Sequence, residues 1–155
     1  MNTECLRISE QLRHAFEGGA WHGPSLKELL AGVTAEQAQA HPAPSCHSIW
    51  ELVLHISVWV QVTLEAVQGV PMPQPLPAER NFRAAPGGDE AWQRDVLGLL
   101  EVNRKLSNAV EHFGDERLEE IVPGRKYDFY TLLHGVVQHS LYHAGQMAIL
   151  RKALE

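Results

Sequence analysis

Apolar residues recur along this chain in alternating steps of three and four, the period of one face of an α-helix. From Thr3 to Glu17 they stand at Cys5, Ile8, Leu12 and Ala15, with Leu6 and Phe16 flanking, and Gly18-Gly19 stops the pattern. Three capping signatures follow: Ser25-Leu26-Lys27-Glu28, Thr34-Ala35-Glu36-Gln37 and Ser48-Ile49-Trp50-Glu51. The first two predict short helices, and Pro42 and Pro44 break the chain after them. Ser48 opens a second long helix, to about Gly69. It is apolar nearly all round, from Ile49 and Trp50 through Val53, Ile56, Val60 and Leu64, which predicts the most buried element. A third long helix runs from about Asp89 to Phe113-Gly114, with a seam at Trp92, Val96, Leu99, Asn103, Leu106, Val110 and Phe113. Asp128 caps a fourth, which reaches about Leu154.

Four long helices predict an all-α bundle in one domain, residues 1–155, with essentially no sheet. Trp92, Leu99, Leu106, Val136 and Leu150 are expected in its core. Between the second and third long helices, Pro71, Pro73, Pro75, Pro77 and Pro86 with Gly87-Gly88 make a long crossover. Such a connection lets consecutive helices run parallel, whereas a short one forces them antiparallel. A second connector, from Asp115 to Lys126, contains Val122-Pro123-Gly124. Asn103, the one polar member of its seam, is expected to fix helix register rather than to reach a polar site.

The seam of the fourth helix departs from its own rule. It reads Phe129, Leu132, Val136, His139, His143, Gln146, Leu150, and three adjacent positions are polar where apolar residues belong. His139 and His143 stand roughly 40° and about 6 Å apart on a helix, so both imidazoles point one way, as ligands of one metal ion do. With 9 histidines in 155 residues, chance supplies roughly half of one such pair, so the seam context carries the argument. The alternative is a pair of core histidines bonded to carbonyls or water. His55 sits in the middle of the second helix, between Leu52 and Trp59. If it faces this seam, three imidazoles converge. Three neutral nitrogens at about 2.1 Å suit Zn²⁺, Ni²⁺ or Fe²⁺ and leave one or more positions open.

The remaining histidines compete poorly. His47 is about 12 Å from His55 along the helix, and His134 lies about 140° around from His139. His14, His22, His41 and His112 fall on surface or connectors. HExxH, ExxH, GxSxG and phosphate-loop motifs are absent. Gln146 is placed to bond a metal-bound water, and Tyr142 adjoins the site. Glu51 either orients His55, acts as a base, or simply caps its helix. Gly145 is expected to admit a close helix.

Charge and cysteine usage narrow the partners. The net charge of −6 argues against nucleic acid as a partner, because such binding needs clustered Lys and Arg. The start Met-Asn-Thr-Glu-Cys carries no signal-peptide pattern, and no run of 18 apolar residues suggests a membrane span. Cys5 and Cys46 form no CxxC, which predicts reduced thiols in a cytoplasmic protein.

His139-x-x-x-His143-x-Gly145-Gln146 resembles the last-helix motif of the DinB-like superfamily, also called YfiT-like, as does Ser48-Ile49-Trp50-Glu51-Leu52-Val53-Leu54-His55 on the second helix. Trp21-His22-Gly23-Pro24-Ser25-Leu26 and Val122-Pro123-Gly124 look like that family's connectors. The likeness spans about Trp21 to Lys152. It implies an up-down-down-up bundle, one divalent ion on His55, His139 and His143, and a homodimer. Members resemble thiol S-transferases using bacillithiol or mycothiol, a maleylpyruvate isomerase, or metal-dependent hydrolases. The expectation is therefore a metal-dependent enzyme acting on a small molecule, with a low-molecular-weight thiol as one candidate substrate. Its alternatives are a non-catalytic metal- or ligand-binding bundle and a purely structural one.

Overall fold

The three capping signatures do what their residue types allow. In the computed structural model, which describes residues 3–155, the hydroxyls of Ser25, Thr34 and Ser48 each accept from the backbone N–H three residues on. In each case the Glu or Gln side chain at that position returns the bond. They open α2 (Leu26–Leu30), α3 (Ala35–Gln39) and α4 (Ile49–Val67). α1 (Thr3–Glu17) precedes them, and α5 (Ala78–Asn81), α6 (Asp89–Glu111) and α7 (Phe129–Ala153) follow, with a 3-10 turn at Asp115–Arg117. Asp128 caps α7 through the Thr131 N–H at 2.8 Å. Among the described residues the β-type pairing is one isolated bridge, Ile121 with Asp128.

The four long helices form the bundle. α1 and α4 each pack on both α6 and α7. The expected core positions Trp92, Leu99, Leu106, Val136 and Leu150 are all buried, in one connected cluster. Two tryptophans tie α4 to α6. The Trp50 indole donates to Asp95 at 2.8 Å, the Trp92 indole donates to the Val33 carbonyl at 2.8 Å, and their rings lie 5.2 Å apart. Asn103 donates to the Leu12 carbonyl at 3.3 Å, so it joins α6 to α1 and does not reach the histidines. By length and hydropathy α4 would also pass for a membrane span, but 67% of that window is buried in the bundle. Its apolar circumference is accounted for by its neighbours on several sides.

The two connectors are bonded to each other. The Met72 N–H donates to the Pro123 carbonyl at 2.9 Å, and Arg125 donates to the Pro73 carbonyl at 2.6 Å. Gly124 (φ +80°) is required there, because a Cβ would lie 2.7 Å from the Met72 carbonyl oxygen. This clasp ties the crossover to the connector that leads into α7, and α5 packs on α4. Gly145 is different. A Cβ there meets nothing within 4 Å, so the expected close helix contact is absent among the described residues.

Candidate metal centre

α4 supplies one imidazole and α7 two. His139 and His143 share a face one turn apart, as their spacing requires, and α4 packs so that His55 meets that face. His55 Nε2 lies 3.0 Å from His139 Nε2, and His143 Nε2 lies 3.1 Å from the same atom. One ligand nitrogen from each ring falls within 4.8 Å of the others. His55 and His143 are buried, and His139 is partly so.

Hydrogen bonds at the far side of two rings fix the near side. His55 Nδ1 donates to the Asn81 backbone carbonyl at 2.9 Å, and His143 Nδ1 donates to Gln146 Oε1 at 2.7 Å. A neutral imidazole carries one proton, so both Nε2 atoms are left with free lone pairs aimed at one point. His139 Nδ1 is buried with no protein partner. Nitrogens bound to one ion at about 2.1 Å stand roughly 3.0 to 3.4 Å apart for right-angled to tetrahedral geometry, close to the spacings here. The two spacings to His139 Nε2 and the convergence of the three rings fit a divalent ion.

The electrostatics favour the neutral form that a ligand needs. Burial and the neighbouring His143 and His55 push His139 down to about 4. Burial is the largest cause at His55 and His143 too. Both are lowered, although the bonds to Asn81 and Gln146 pull the other way.

The other expected site residues distribute unevenly. Gln146 Oε1 accepts from His143 Nδ1, three residues back on the same helix, so its amide orients that ring. Glu51 does not reach His55. Its carboxylate accepts from the Ser48 N–H at 2.9 Å and from His41 and His47 at 3.2 and 3.3 Å, because the cap geometry turns it toward the helix start. Tyr142 stands edge-on to His143 at 5.1 Å but is 66% exposed. His134 faces Glu4 of α1 at 3.1 Å, away from the cluster.

Three contributors were not legible in the sequence. Asn81, at the end of α5, gives its backbone carbonyl to His55 and its side-chain carbonyl to the Trp59 indole, 2.9 Å away. Phe82 stacks between His55 and His47, with both centroid distances 3.9 Å and interplanar angles of 6° and 3°. Trp59 meets His139 edge-on at 5.9 Å. A glycine-and-proline crossover carries no motif for such contacts. The five prolines signal a shaped connector, not a hydrogen bond to His55.

Beside the cluster lies a largely apolar cavity of about 360 Å³, whose wall includes His55, His139, Trp59, Thr63, Gly135 and Val136. Two of the three imidazoles thus border open space. No curated protein matches the chain, and no solved structure does. The family model of the DinB superfamily matches residues 10–147, which include all three histidines, the whole of α4 and most of α7. On that match the chain belongs to the DinB superfamily.

Proposed function

We propose that His55, His139 and His143 hold one divalent cation, zinc, nickel or iron(II), and that the protein is a metal-dependent enzyme transferring a thiol to a small electrophile. The observation that carries the reading is the convergence of three Nε2 atoms at one point bordering a cavity. A bound cation supplies Lewis acidity there, which favours a thiolate or another anionic ligand atom at neutral pH. Asn81 and Gln146 hold two imidazoles in the ligating tautomer, and Phe82 and Trp59 fix ring planes from the sides. Thiol transfer is favoured over hydrolysis by the position of Glu51. Zinc hydrolases commonly pair the ion with a carboxylate base, and Glu51 is committed to its cap and to two surface histidines. A thiol, with an ordinary pKa of about 8.5, reaches its anion with less help than water does.

Elemental analysis of the purified chain tests the site. The expected result is one ion per chain. Conjugation of 2-mercaptoethanol to 1-chloro-2,4-dinitrobenzene tests turnover. The expected rate falls to background with EDTA and returns with metal. Metal without turnover of this or other electrophiles would leave a binding protein. Absence of metal affinity would leave a structural bundle.

We further infer the up-down-down-up order. Trp50 and Asp95 meet near the starts of α4 and α6, which supports parallel helices across the crossover. Thr63 and Thr131 share one cavity while Leu52 and Leu150 share another, which supports α4 antiparallel to α7. Glu4 of α1 bonds His134 in the first half of α7, as parallel α1 and α7 require. A homodimer and a cytoplasmic location rest on the family likeness and on cysteine usage. Sedimentation of the full chain tests the first.

A further inference from the structure

The cavity beside the histidines has a length, a chemistry and an unusual glycine. It follows the groove between α4 and α7. Its wall runs from His55 to Thr63 on one helix and from Thr131 to His139 on the other, eight residue steps each, or roughly 12 Å. Thr131 is exposed, so that end opens to solvent. Between these limits neither helix carries an Asp, Glu, Lys or Arg: the segments read His-Ile-Ser-Val-Trp-Val-Gln-Val-Thr and Thr-Leu-Leu-His-Gly-Val-Val-Gln-His. Two of the lining polar groups are committed within the protein. The Thr63 hydroxyl donates to the Trp59 carbonyl at 2.8 Å, and the Asn81 side chain holds the Trp59 indole. Between the histidine cluster and the mouth, a charged group too far from the ion to pair with it would find no counterion on either helix, and burying one unpaired is costly.

Gly135 lies one turn before His139 inside α7, where glycine costs roughly 1 kcal/mol relative to alanine. Packing does not demand it. A Cβ there meets nothing within 4 Å, and its φ is not positive. What the missing side chain leaves is cavity.

We propose that this cavity is the binding site for a neutral, largely apolar substrate, up to about 12 Å long, that enters past Thr131 and presents its reacting atom to the histidine cluster. Gly135 keeps the channel open and sets its bore. The proposal rests on the metal-site reading above and names the acceptor class: an electrophile with an alkyl or aryl body, not an anionic metabolite.

The test uses the zinc-loaded full chain and a series of alkyl hydroxamates, acetyl to octanoyl, whose head group binds an accessible ion. Calorimetry is expected to show affinity rising roughly threefold to fourfold per methylene. Adipic monohydroxamate, whose carboxylate stands further down the channel, should bind at least tenfold more weakly than its isostere 6-methylheptanohydroxamate. In Gly135→Leu the chain-length gain should vanish, while zinc affinity, the helical spectrum and acetohydroxamate binding are retained. A flat series on zinc-loaded wild-type protein, or adipic monohydroxamate binding as well as its isostere, would overturn the substrate class and leave the metal site standing. An unaltered series in Gly135→Leu would overturn the role of Gly135. Failure to load zinc at all would instead overturn the underlying site.

Discussion

Gln146→Leu separates the metal state from the metal-free state of this protein. In the ligating tautomer His143 carries its proton on Nδ1, and Gln146 Oε1 accepts it at 2.7 Å. Leucine deletes that acceptor from a part-buried bond. The proton on Nδ1 is then unsatisfied whenever Nε2 is bound. Removing such an outer partner of a ligating histidine typically lowers metal affinity by 10- to 100-fold, about 1.4 to 2.7 kcal/mol. Without metal the ring has an escape. It moves its proton to Nε2 and donates to His139 Nε2, 3.1 Å away, so metal-free stability should change by less than about 1 kcal/mol. Two measurements report the split: zinc titration against a chromogenic chelator, and melting with and without saturating zinc. For a chain of 155 residues, about 2 to 4 °C corresponds to each kcal/mol, so the zinc-induced rise in Tm should shrink by roughly 3 to 10 °C. Gln146→Glu keeps an acceptor and adds negative charge, and should bind zinc at least as tightly as the wild type. Zinc affinity of Gln146→Leu within threefold of wild type would refute the reasoning, as would an equal loss of stability in both states.

Alanine at His55, His139 or His143 leaves two ligands and should release most of the metal by elemental analysis, whereas His47→Ala and His134→Ala should retain it. The metal-free protein should lose stability as pH falls from about 6.5 to about 4. The unfolded chain protonates its histidines near the ordinary 6.5, and folded His139 resists until about 4. The unfolded state therefore binds more protons through this window, and the contribution is present in full only above it; urea titrations at stepped pH read the slope. Chelation should lower Tm at pH 7, because zinc binds the folded state alone. Ser48→Ala should cost roughly 0.5 to 2 kcal/mol through the lost cap of α4, measured by urea unfolding.

The fold and the core of the site were legible for different reasons. Helix starts were readable because a capping box is local: Ser48 and Glu51 are three residues apart, and nothing distant competes for them. His139 and His143 were readable because a polar pair interrupts an apolar seam. His55 required either the family motif or the packing of α4 on α7, since nothing around it in sequence says which way it faces. Gln146 was expected to bond a metal-bound water, and the structure sets its amide oxygen on His143, because three residues along a helix bring the two side chains together. Glu51 shows competition in the other direction. One carboxylate cannot both close a capping box at Ser48 and turn a full helical step to orient His55, and the local bond wins.

Asn81 and Phe82 explain why the long crossover matters beyond connecting two helices. His55 sits mid-helix on α4, where its own helix has no free backbone carbonyl to accept from Nδ1. Nor is there a carboxylate in reach, since Glu51 is engaged elsewhere. An acceptor has to come from another segment, and the crossover brings the Asn81 carbonyl to 2.9 Å. That segment is held in place at both ends of its contact. Asn81 also accepts from Trp59, and the clasp between Met72 and Pro123 ties the crossover to the connector that leads into α7. The orientation of the α4 ligand is thus mechanically linked to the approach of the helix that carries the other two. A bundle with a short loop between these helices would lack both the acceptor and the ring of Phe82. His55 would then be a buried imidazole free to choose either tautomer, and only one of the two places its Nε2 lone pair toward His139.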